Sequence, residues 1–185
     1  PGSRQEETRR PSRERRPYRE LYRMKISDLV APDRVVARMA APNRKHVVRE
    51  LSRIAAESVG LNKDQVYEAV ITRRGSMTIG MGRGTAVPHA TIGCIEKPIG
   101  VFATLNPAVD FEAVDGLPAD LVMMVLAPEN DERRLLVALS CVARSMRDAE
   151  LVSRLRTAKD AEAIYTLLTS DAWQGSECVL ETVDP

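Results

Sequence analysis

The chain has 185 residues, 44% hydrophobic but only 4% aromatic, enough for one ordinary domain with an aliphatic core and room for a tail. No apolar run approaches a membrane span and the N-terminus has no signal-type apolar stretch, so membrane insertion is not expected and a cytoplasmic location is. The net charge of +1 conceals a division: residues 1–23 hold eight arginines and four glutamates, which leaves the rest of the chain with a net charge of −3.

Residues 1–3, Pro-Gly-Ser, resemble a cloning remnant. Residues 4–23, "RQEETRRPSRERRPYRELYR", carry almost no aliphatic surface to offset the entropy of ordering them, so a disordered basic arm is expected. Such an arm could touch nucleic acid or an acidic membrane surface. A solvated extension is the better reading, and nucleic acid is not expected as a partner. The domain itself is expected to run from Met24 to residue 169, with a C-terminal tail over 170–185.

Residues 34–40, "RVVARMA", suit a strand. Asn43 then caps a helix in which Val47, Val48, Leu51, Ile54, Ala55 and Ser58 recur at helical spacing before Gly60 stops it. Asn62 opens a second helix with Val66, Ala69 and Val70 on one face, broken by "TRRGSMT". The segment "TAVPHA" is extended, because Pro88 disfavours helix at Val87. Strands follow at 99–105 and 119–128, the second so continuously apolar that both its faces should be covered. Asn130 or Asp131 caps a third helix with an inward stripe of Leu135, Leu136, Leu139, Val142, Ala143 and Met146. Short helices start at Asp148 and Asp160 and run through Arg156 and Leu168. Strands interleaved with helices imply an α/β fold, a mixed β-sheet sandwiched by helices on both faces.

Chemistry concentrates in "GMGRGTAVPHA", residues 80–90, where glycines at 80, 82 and 84 run into Pro88-His89. Glycine-rich loops suggest phosphate, yet the nucleotide patterns fail. Gly75 and Gly80 have P-loop separation, but Met81 and Gly82 stand where Lys and Ser/Thr are required. A dinucleotide fingerprint begun at Gly80 or Gly82 would place its third glycine at Thr85 or Val87, and no helix follows. Metal has no constellation either: the two histidines lack H-x-x-x-H spacing, and Cys94, Cys141 and Cys178 form no C-x-x-C pair. No cofactor and no metal are expected. What remains is a loop of amides, with the hydroxyls of Thr72, Ser76 and Thr78 and the Arg73-Arg74 pair, leading to His89. Successive amides can fold into an anion nest, arginine binds phosphate oxygens bidentately, and neutral histidine is a nucleophile. A lone histidine after proline is more often a structural or surface residue, and the glycines alone could mark a tight turn. The residues by themselves leave both readings open.

The stretch from Met24 to about Thr169 resembles the enzyme IIA domains of the bacterial phosphoenolpyruvate-dependent phosphotransferase system. The branch is the mannitol/fructose type, most like the nitrogen-regulatory enzyme IIA. The resemblance is carried by "VYEAVITRR", "TIGMGRGTAVPHA", "VDFEAVDGLPADLVMMVLAPE" and "LRTAKDAEAIYTLL". It implies an α/β sandwich and a phosphohistidine relay. His89 would accept a phosphoryl group at Nε2 from a histidine-containing phosphocarrier protein or its nitrogen-branch counterpart. Arg73 would steady the phosphate, with Thr78 standing where serine is usual and Gly80 and Gly82 supplying amides. The favoured output is signalling to regulatory target proteins. The alternatives are a sugar-specific enzyme IIA serving an enzyme IIB in fructose or mannitol uptake, and a non-catalytic binding module of the same fold. Two positions depart from the pattern: Leu135 stands where a second histidine is common, and Ala90-Thr91 replaces a usual Gly-Lys. His46, at a helix start, is expected to be exposed and to substitute for neither.

Overall fold

The computed structural model describes residues 24–72 and 80–172. Its layering follows from the long apolar run of β6 (Ala119–Pro128). In a strand successive side chains point to opposite faces. Leu121, Met123, Val125 and Ala127 therefore enter one core, and Val122, Met124 and Leu126 enter a second. With both faces covered, the strand has no need of polar alternation, as its sequence implied.

Around β6 the sheet is mixed. The antiparallel β5 (Ile99–Val109) lies on one side of it and carries β1 (Val35–Met39) as a parallel edge. On the other side β3 (Thr85–Ala86) and β4 (His89–Ile92) both run parallel to β6, one after the other. The short β2 (Gly80–Gly82) pairs antiparallel with β3.

One core is closed by α2 (Arg44–Val59) and α3 (Lys63–Thr72). The opposite core is closed by α1 (Ile26–Leu29), α4 (Glu132–Ser145), α5 (Ala149–Thr157) and α6 (Ala161–Thr169). The α/β sandwich with helices on both faces is thus the observed fold.

The helix starts obey capping chemistry. Asn43 accepts from the His46 amide, Asp131 from Arg134, Asp148 from Glu150 and Leu151, and Asp160 from Ala163. Gly60 closes α2 in the left-handed conformation at φ 72°. Since the Asn43 side chain satisfies an otherwise orphan amide, Asn43→Ala is expected to lower stability by about 1 kcal/mol in urea unfolding.

Several expectations need correcting. The helix α1 in "ISDL" was not foreseen, since four residues carry no period. A 3-10 turn over Pro32–Arg34 precedes β1, which starts at Val35 rather than at residue 34. The strand β5 runs to Val109, beyond 105, through the exposed residues Asn106, Pro107 and Ala108. In α4, Leu136 faces solvent at 55% exposure, while Val137, Ala138 and Cys141 are buried beside Leu135 and Val142. Within α2, Ser52 and Ala56 are buried rather than Ile54 and Ser58. The arm of residues 1–23 and residues 173–185 lie outside the described residues.

Candidate functional site

Pro88 lacks an amide hydrogen and cannot donate to a ladder. It therefore divides what would be one strand into β3 and β4, and its carbonyl still accepts from the Val125 amide at 3.0 Å. His89 resumes the ladder opposite Val125, with Ala90 opposite Leu126. Ala90 and Leu126 enter the core under α2 and α3, so His89 projects from the opposite face, the one covered by α4. The imidazole is partly exposed there.

The ring is fixed by the backbone just ahead of its strand. His89 Nδ1 lies 3.0 Å from the Val87 carbonyl oxygen. A carbonyl only accepts, so Nδ1 carries the proton, and in the neutral ring the lone pair resides on Nε2. Backbone geometry thus selects the tautomer in which Nε2 is the nucleophilic nitrogen.

The glycine ladder forms the β2–β3 hairpin. Gly82, Arg83 and Gly84 all have positive φ, at 80°, 54° and 76°. Each glycine also meets a neighbour. A Cβ on Gly80 would lie 2.4 Å from that of Ala113, in the loop between β5 and β6. One on Gly82 would lie 2.9 Å from Asp115 Oδ2, and one on Gly84 would lie 2.5 Å from Arg156 Nη2. The ladder is a socket for a carboxylate and a guanidinium belonging to the protein itself.

Asp115 accepts the Arg83 amide at 2.7 Å and the Leu117 amide at 3.1 Å. Arg156, from α5, grips both carboxylate oxygens of Asp120 at 2.7 and 2.9 Å, and its Nη2 also donates to the Arg83 carbonyl at 2.7 Å. Reading the sequence missed these three residues as parts of the hairpin's support. The signal for two of them was present in "DGLPAD", but their partners stand far away in the chain.

The Arg83 amide, then that of Leu117, holds the Asp115 carboxyl below the usual aspartate value of 3.8. A depressed carboxylate stabilises the fold above its unfolded value, and that contribution fades as pH falls through the lower folded value. Asp115→Asn is therefore expected to flatten the loss of stability below about pH 4, measured as melting temperature against pH.

Of the residues assigned to the site by sequence, His89, Gly80 and Gly82 are described, whereas Arg73 and Thr78 lie outside the described residues. Gly80 pairs with Ala86, three residues before His89, while Gly82 pairs with Thr85 at the remote end of the hairpin. Leu135 is buried in the same core as Val87 and Val125, which adjoin His89 along the chain and across the ladder. Leu135 is therefore an apolar packing residue of this core. His46 is exposed on α2, and its amide hydrogen goes to the Asn43 cap. Among the described residues no group of His, Cys, Asp and Glu is placed to hold a metal ion, and no helix is long and apolar enough to cross a membrane.

Residues 28–171 match the family described as phosphoenolpyruvate-dependent sugar phosphotransferase system, EIIA 2. The chain belongs to that family. A nitrogen regulatory protein of Bradyrhizobium diazoefficiens is 40% identical to this EIIA chain over 145 residues, covering 78% of it and 95% of the relative. The crystal structure of nitrogen regulatory protein IIA-Ntr from Neisseria meningitidis superposes with a TM-score of 0.71 at 26% identity, over 78% of this chain and 99% of that one. The mannitol IIA of Escherichia coli shares the fold, with a TM-score of 0.62 at 19% identity over 76% and 99% of the two chains. As an EIIA domain similar to nitrogen regulatory proteins, the chain is a phosphoryl-transfer component of regulatory type.

Proposed function

We propose that His89 is the phosphoryl acceptor of this EIIA domain, taking the group on Nε2 from the phosphohistidine of a small carrier protein of the nitrogen-branch type. The observation that carries this reading is the Nδ1 contact to the Val87 carbonyl, which leaves Nε2 as the basic nitrogen. The Nε2 lone pair attacks phosphorus in line with the donor nitrogen. As the Nε2–P bond forms, the donor's N–P bond breaks and its electron pair returns to the donor ring. His89 keeps its Nδ1 proton, and the Val87 carbonyl stabilises the positive charge that the ring acquires. No metal or nucleotide is required at this step, because the donor is already activated.

The transition state is loose, with charge spread over three equatorial oxygens. Arg73 and Thr78 are proposed to hold those oxygens, on the strength of the family pattern. Gly80 is retained beside them. Gly82 fits less well, since it faces the Asp115 carboxylate, whose charge opposes a phosphoryl group there.

Output follows from charge. A phosphoryl group adds nearly two negative charges to a partly exposed imidazole, enough to change which regulatory proteins bind this face. Delivery to an enzyme IIB for sugar uptake is the competing output, and the family description includes sugar systems. The test is incubation with phosphorylated carrier proteins. An acid-labile gain of one phosphate by mass, absent in His89→Ala, supports the proposal, and labelling that persists in the variant overturns it. Release of the label to an enzyme IIB but to no sugar-independent target would favour uptake.

A further inference from the structure

A concavity lies elsewhere in the fold, and His89 does not line it. It has a volume of about 710 Å³ and is bounded by α1, the turn before β1, the end of α2, the segment leading into β5 and the first two turns of α4. We propose that this cavity binds a small polyanion, a molecule carrying two or more negative charges on phosphate or carboxylate groups.

Three cations line it, Arg34, Lys97 and Arg134, against the single carboxylate of Asp28. Arg34 is held rigidly and only by neutral acceptors. Its Nε donates to the Gly100 carbonyl at 3.2 Å, Nη1 to Ser58 Oγ at 2.8 Å and Nη2 to the Leu29 carbonyl at 3.2 Å. A guanidinium has five N–H donors, so these three bonds leave two for a ligand, and no carboxylate among the described residues is paired with the charge. The exposed Lys97 forms no ion pair with any described residue. Arg134 is positioned by the Glu96 carbonyl at 2.7 Å and is partly neutralised by Asp131 at 3.0 Å.

Apolar side chains complete the lining. Val30, Ile99 and Val137 are each at most 5% exposed, and such walls strengthen the field that a bound anion experiences. The volume falls in the range of small-molecule sites. The concentration of positive charge also runs against the rest of the chain, which carries a net −3 beyond residue 23. Charge so placed, with one cation fixed in advance and without a carboxylate partner among the described residues, is the arrangement that recognises an anion rather than one that merely stabilises a surface.

The experiment is residue-resolved NMR titration of the full chain at constant ionic strength, with inorganic pyrophosphate in one arm and succinate in the other. Saturable shifts are expected at residues 24–34, 97–99 and 131–137, with at least one of the two probes. Lys97→Glu should weaken that binding about tenfold, since it reverses one unpaired charge at the cavity mouth. Its own spectrum reports whether the variant is folded. Shifts that never saturate, that spread over arginines elsewhere, or that are unchanged in Lys97→Glu would overturn the proposal. Pyrophosphate alone binding would assign a phosphate ligand, and succinate alone a dicarboxylate. Because the readout is binding at the cavity, the outcome is independent of whether His89 is phosphorylated.

Discussion

His89→Ala is expected to abolish phosphoryl acceptance and to leave the fold intact. Removing a nucleophile from a reaction that depends on it costs on the order of 10⁶ in rate, which no assay of carrier-to-EIIA transfer would detect above background. Stability should change by about 1 kcal/mol, because the ring is only partly buried and the loss is one Nδ1 hydrogen bond to the Val87 carbonyl. His89→Asn sharpens the result. The asparagine amide N–H stands where Nδ1 stood and can be offered to the Val87 carbonyl, but it has no nitrogen lone pair to attack phosphorus, so it should restore any lost stability and none of the transfer. Transfer in either variant would relocate the acceptor elsewhere and remove the basis of the proposed relay.

Gly80→Ala carries the largest structural effect expected here, about 2 kcal/mol of lost stability in urea unfolding. Its new Cβ would sit 2.4 Å from the Ala113 Cβ, 2.7 Å from its Cα and 3.0 Å from its nitrogen. Two of those three atoms are backbone, so no rotamer change relieves the overlap and the loop between β5 and β6 must move. Ala113→Gly deletes one of the three close atoms. Combined with Gly80→Ala it should recover part of the loss, roughly half, and the non-additivity measures the contact directly. Because Gly80 pairs with Ala86 just before Pro88, displacement of β2 should also slow phosphoryl acceptance by His89. If Gly80→Ala were neutral in both measurements, the close approach of hairpin and loop would be wrong.

These two experiments address different properties of one stretch of chain. The histidine's chemistry is local: its tautomer is set by a carbonyl two residues away. The glycines are needed for remote reasons. Arg83, at the hairpin tip, donates to a residue 32 positions away and accepts from one 73 positions away. A pattern of glycines read along the chain suggests a cradle for an external anion. The folded arrangement fills that space with the protein's own Asp115 and Arg156.

The sequence by itself determined the layers, the caps and the chemical candidate. Periodicity is a local property, so the apolar run of β6, the stripes of α2 and α3, and the capping residues Asn43, Asp148 and Asp160 were legible from local sequence, whereas the cap of α4 stayed open between Asn130 and Asp131 until the structure chose Asp131. Elements too short for a period, such as α1, were not, and in α4 the period alone could not distinguish the buried Val137 from the exposed Leu136. Only tertiary structure decided which face His89 projects from, what occupies the glycine socket, and that Arg34, Lys97 and Arg134 converge on one cavity. Each depends on segments that meet through sheet pairing and helix packing, and no spacing along a single chain encodes where two distant stretches will touch.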